Sequence, residues 1–118
     1  MMTDIKRFHS GARASQVVVS GQHIETAGLV AKCTDKGIAE QTRCVLDQLE
    51  QLMVDVGANR NQITRIQIWL ANMAYFEEMN KVYDAWVSEI DKPARACVGS
   101  QLASPEYLIE IQATGTFY

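Results

Sequence analysis

The chain has 118 residues, 47% of them hydrophobic and 21% charged, which fits one folded domain over 1–118 and excludes intrinsic disorder. A net charge of −3 gives no basic footprint for nucleic acid, and no apolar run approaches the roughly 18 residues needed to span a membrane. The N-terminal stretch has no long apolar segment, and Cys33, Cys44 and Cys97 are widely spaced with no CxxC pair, so no secretory signal and reduced thiols in a cytoplasmic protein are expected.

In chain order, Ile5 to His9 reads as a weak strand and Gln16 to Ser20 as a β-branched one. Gly21-Gln22 supplies a tight turn, and Gln22 to Val30 returns as the second arm of a hairpin. Residues 31–37 break the pattern. Ile38, Val45, Leu49, Leu52, Met53 and Val56 then recur at helical spacing, and Gly57 marks the stop. Ile63 to Leu70 alternates as a strand. A second helix covers about Tyr75 to Ile90 and ends before Lys92-Pro93. Ala94 to Val98 and Leu108 to Thr114 close the chain as strands. The order predicts an α+β domain, a mixed sheet with both helices on one face.

On the last two strands, Ala94, Ala96, Val98, Ile109, Ile111 and Ala113 are expected to meet the helices. Arg95, Cys97, Glu110 and Gln112 then fall on the other face with Arg65, Gln67 and Trp69. Such a mixed face, with only two helices available, points to burial by oligomerisation with polar groups kept for a site.

Arg95, Cys97 and Glu110 are the main candidates for chemistry. An adjacent antiparallel strand would bring Glu110 beside Arg95, where the guanidinium fork suits a carboxylate or phosphate and the Glu positions or activates water. The same spacing also fits a simple cross-strand salt bridge. Cys97 is open to two readings, a nucleophile or a small buried hydrophobe. Asn80 lies beside the apolar stripe of the second helix, either as a site residue or as an exposed position. His9 and His23 show no metal-ligand spacing, so no metal site is expected. No phosphate-cradling glycine loop is present.

Pro93, Arg95, Cys97 and Val98, then Leu102, then Ile109-Glu110-Ile111, together with Asn80 and Tyr83 on the second helix, resemble the Rid family of reactive-intermediate deaminases, also called YjgF or RutC-like proteins. The resemblance runs over nearly the whole chain. It implies a chorismate-mutase-like fold, a homotrimer with three clefts between subunits, and no metal or organic cofactor. The implied activity is hydrolysis of enamine or imine intermediates such as 2-aminoacrylate to 2-keto acids and ammonia. In that scheme Arg95 anchors the substrate carboxylate, the Cys97 backbone contacts the imine nitrogen, and Glu110 orients water. The alternative is a non-catalytic trimer that binds small carboxylates or 2-keto acids in the same cleft.

The chain departs from the family pattern at two places. Arg13-Ala14 stand where many deaminating members have Pro-Tyr, and Ala27-Gly28 stand where they have Ser-Gly. Ser20-Gly21-Gln22 matches the second motif in letters but falls in the hairpin turn. The aromatic wall and one hydroxyl are therefore absent, and Arg13 would bring a second positive group to the cleft.

Overall fold

The computed structural model of the protein describes residues 4–118. β1 (Ile5–Phe8), β2 (Val17–Ser20) and β3 (His23–Thr26) form a meander, continued by the short β4 (Leu29–Val30) and then by α1 (Ile38–Asp55). β5 (Ile63–Leu70), α2 (Phe76–Val87), β6 (Ala94–Gly99) and β7 (Ile109–Thr116) complete the chain. Gly21, at φ 60°, makes the two-residue turn between β2 and β3, so Ser20-Gly21-Gln22 is a turn as its composition predicts.

The sheet runs β1-β2-β3-β7-β5-β6, with β4 also paired to β7. Every pairing is antiparallel except β5 with β6, whose parallel arrangement requires the crossover that α2 provides. Alternation on β5 and β7 buries Ile66, Ile68, Leu70, Ile109 and Ile111 completely, against Val45, Leu46, Leu49 and Met53 of α1 and Met79 of α2. Each such side chain contributes about 1.5–3 kcal/mol of burial. α1 ends as its sequence predicts. Gly57 at φ 88° donates its N–H to the Val54 carbonyl, and the Ala58 N–H reaches back to Met53 at 2.8 Å, satisfying the last carbonyls.

Four expectations are corrected. First, β6 faces the opposite way. Its register sets Arg95 beside Ile66 and Cys97 beside Ile68, two fully buried residues, so Arg95 and Cys97 are on the helix side. Ala94, Ala96 and Val98 lie on the open face with Arg65, Gln67 and Trp69. Small alanines suggested the inside, but β6 is an edge strand. There the Arg95 guanidinium itself lies over the α2 aromatics Tyr83 and Phe76.

Second, β6 and β7 are not neighbours, because β5 lies between them. Glu110 pairs with Trp69 on the open face, so Arg95 and Glu110 form no cross-strand pair. Third, the strand predicted over 22–30 is interrupted. From Glu25 to Leu29 the chain advances four residues while β7 advances three, from Thr114 to Ile111, so 26–28 form a bulge. Thr26, buried, bridges it: its Oγ1 accepts from the Ala113 N–H at 3.0 Å and donates to the Ala27 carbonyl at 2.8 Å. Fourth, Cys33 and Cys44 are joined in a disulfide, and Cys97 alone is free. The 31–37 loop folds back on α1 and brings the two sulfurs together, a contact that an 11-residue spacing without a motif does not announce.

Candidate functional site

The predicted site residues separate into two groups at different edges of the subunit. The first is built on β6 and α2. The Arg95 Nη1 donates to Asn80 Oδ1 at 2.8 Å, and its guanidinium lies 4.6 Å from the centroid of the Tyr83 ring and 5.9 Å from that of Phe76. Asn80, Tyr83 and Phe76 are on one α2 face because they are four, three and seven residues apart, which is helical spacing. Two aromatic faces and an amide thus fix a cation that no carboxylate neutralises among the described residues. Only Nη1 is engaged there, so the Nε–Nη2 edge keeps its donors for a planar anion.

Burial pushes the Tyr83 hydroxyl up from its usual range, against the opposing effect of Arg95. Burial likewise raises the Cys97 thiol, with Arg95 again opposing. A thiol shifted in that direction stays protonated at neutral pH, which removes the basis for a nucleophilic sulfur.

The second group is built on the β3–β4 bulge and β7. Gly28 faces the Glu110 carboxylate so closely that a Cβ there would overlap Oε2 and lie 3.0 Å from Cδ. Only a residue without a side chain lets backbone and carboxylate approach in this way. Ala27 donates its N–H to the Gln16 carbonyl at 2.9 Å, which fastens the bulge to the end of the 9–15 loop. Arg13 and Ala14 are exposed on that loop, whose own turn is closed by the Gly11 N–H on the Ala14 carbonyl at 2.8 Å. Ala27, Gly28 and Glu110 are therefore brought together, with Arg13 and Ala14 on the loop tied to them. Arg95, Asn80 and Cys97 are not.

A cleft of about 820 Å³ adjoins Gly28 and runs between β4, the 31–34 segment and α1. At its far end the His9 Nε2 pairs with Asp55 Oδ2 at 2.8 Å, while Gln51 Nε2 donates to Asp55 Oδ1 at 2.8 Å. The Gln51 bond first, and then His9, hold the Asp55 carboxyl below the usual carboxylate range. His9 itself has φ 55°, a left-handed backbone uncommon outside glycine. Neither this cleft nor the Phe76 platform under Arg95 was foreseen from sequence. The i, i+4 and i, i+7 spacing of Cys44, Gln48, Gln51 and Asp55, a polar stripe on an otherwise core-facing helix, was the available signal.

Among the described residues no group of three or more His, Cys, Asp or Glu is placed to hold a metal ion. Among the described residues no helix is long and apolar enough to cross a membrane.

Residues 4–116 match the profile of the family described as Endoribonuclease L-PSP. A RutC family protein of Haemophilus influenzae is 34% identical over 113 residues, covering 95% of this chain and 97% of its own. The RutC family protein YoaB of Escherichia coli K12 is 34% identical over 108 residues, covering 92% and 94%. The crystal structure of a YjgF family member from Neisseria meningitidis superposes with a TM-score of 0.91 at 36% identity, over 98% of this chain and 96% of that one.

Proposed function

The chain belongs to the Endoribonuclease L-PSP family of RutC/YjgF/Rid proteins, and from that membership we propose that it hydrolyses enamine or imine intermediates to 2-keto acids and ammonia. The substrates in this reading are 2-aminoacrylate or related 2-imino acids. The observation that carries it is the Arg95 arrangement: a cation fixed by Asn80 and Tyr83, with one edge of its fork free for a carboxylate.

The reaction needs little more than positioning. The enamine takes a proton at its β-carbon and becomes the iminium ion. Water adds to the C=N carbon, one of its protons passes by way of Glu110 to nitrogen, and the carbinolamine expels ammonia as its C–N bond breaks, its hydroxyl proton leaving to solvent as the keto oxygen forms. Cys97 contributes its backbone on the outer edge of β6, not its sulfur.

Arg95 and Glu110 belong to different faces and are separated by β5, so this scheme requires a second copy of the chain. Two unpaired edges suit each other. β6, with Arg95 and Cys97, ends the sheet on one side, and the outer edge of the short β4, next to Gly28, lies on the other. Joining unlike edges is a heterologous contact, and such a contact gives a closed ring when the rotation between copies is one third of a turn. A homotrimer formed in this way has three equivalent clefts, each with Arg95, Asn80 and Cys97 from one copy and Gly28 and Glu110 from the next.

Ala14 and Ala27 favour a second reading, a trimer that binds 2-keto acids without turning them over, because neither side chain offers a wall or a hydroxyl. RNA is the least favoured ligand: a net charge of −3 gives little of the counterion release that drives phosphate-backbone binding.

The test generates 2-aminoacrylate and a bulkier imine in situ and follows keto-acid formation. Acceleration by the wild type that is lost in Arg95→Ala is the expected result. No acceleration with any imine overturns the deaminase, and keto-acid binding by calorimetry, lost in Arg95→Ala, would then establish the binding protein.

A further inference from the structure

The polar stripe of α1 fastens the wall of the Gly28 cleft at three successive points. Asp55 holds His9 at one end, and Gln48 Nε2 donates to the Val30 carbonyl at 3.0 Å in the middle. At the other end Cys44 is bonded to Cys33, in the segment whose Ala31, Lys32 and Thr34 line the cleft. The first two ties are single hydrogen bonds or ion pairs. The third is covalent, and it is the one that thiol chemistry opens.

Several features set this disulfide apart from a staple the fold depends on. The core beneath is complete without it, since the side chains of Ile24, Leu46, Leu49, Ile66, Ile68 and Ile111 are fully buried. Both cysteines are only partly buried, so a thiolate reaches the bond from solvent. The rest of the segment is held independently. Gln41, buried, donates to the Lys36 carbonyl at 3.1 Å and accepts from the Leu108 N–H at 2.9 Å, which anchors the base of α1 whatever the state of the sulfurs.

We propose that Cys33–Cys44 is a reversible thiol–disulfide site, exchanging with a small thiol of the glutathione type, and that its reduction frees the 31–35 segment from the cleft beside Gly28. The exchange balances with two equivalents of thiol. One thiolate attacks a protein sulfur, giving a mixed disulfide and releasing the other cysteine. A second thiol attacks the mixed disulfide, so that RSSR leaves. Two electrons pass from the small thiols to the protein, and two protons end on Cys33 and Cys44. Oxidation by RSSR is the reverse.

The structural part stands alone, whereas any effect on turnover rests on the deaminase reading. Wild-type protein is equilibrated with reduced or oxidised glutathione, quenched with acid, and its thiols counted in guanidinium. One thiol per chain is expected after oxidation and three after reduction, Cys97 being free throughout. Amides of residues 31–35 are expected to exchange hydrogen about ten-fold or more faster in the reduced protein, over and above the uniform rise that a lower global stability brings to α1 and β5. Cys33→Ser is expected to exchange quickly in either buffer. Three thiols after oxidised glutathione, or one after reduced glutathione, overturns reversibility, and equal exchange of 31–35 in both states overturns the coupling to the cleft. If thiols and exchange behave as expected while neither state hydrolyses an imine, the switch stands and the deaminase falls.

Discussion

Arg95 owes its position to Asn80, Tyr83 and Phe76, and its chemistry to having a fork. Arg95→Lys keeps the charge but loses the planar pair of donors, so kcat/KM for imine hydrolysis should fall by about 10- to 100-fold with little change in thermal stability. Gly28→Ala tests the other group. The new Cβ displaces the Glu110 carboxylate, which is the flexible end of a side chain, so folding should tolerate it with a Tm shift within about 3 °C while turnover drops by about ten-fold or more. Cys97→Ala should leave the rate within about three-fold, since a thiol kept protonated by burial is a poor nucleophile. Arg95, Asn80 and Glu110 stand out in the sequence as site candidates through the motif they sit in. Their grouping does not, because alternation alone cannot say which face of an edge strand turns inward. The alanines of β6 argued for the wrong one.

Elements were more legible than contacts. The two helices and the long strands β5 and β7 have strong periodicity and lie where it places them, whereas the bulge at 26–28 depends on the Thr26 hydroxyl finding the Ala113 amide 87 residues away. Thr26→Val removes that hydroxyl and leaves a buried N–H without its partner, so denaturant unfolding should show a loss of about 1–3 kcal/mol, largely restored in Thr26→Ser. Reducing Cys33–Cys44 should lower stability by about 2–3 kcal/mol, seen as a Tm decrease near 10 °C, because the closed loop is short. The β1–α1 link has its own pH dependence. Gln51 and His9 lower the Asp55 carboxyl in the folded protein, so its contribution is full above the unfolded carboxylate range, about pH 4, and is lost as pH falls through the folded value. Thermal unfolding between pH 3 and 6 should therefore show a smaller acid-side decline in Asp55→Asn than in the wild type.

At the scale of the whole molecule, one copy presents an open sheet face and the outer edges of β1, β4 and β6, which have no second strand partner among the described residues. The mixed character of that face was readable from Arg65, Gln67, Trp69 and Glu110, and the structure keeps them there. A chain of 13.2 kDa closing into a ring of three predicts a particle of about 40 kDa by light scattering. The central claim is that one cleft takes Arg95 from one copy and Glu110 from the next, and mixing mutants tests it most directly. Arg95→Ala and Glu110→Ala are each expected to be inactive alone. Unfolded together at equal amounts and refolded, they should recover about a quarter of wild-type imine hydrolysis, the fraction of clefts that receive both intact residues by random assembly. Mixed particles that form but show no recovered activity would contradict a site shared between copies.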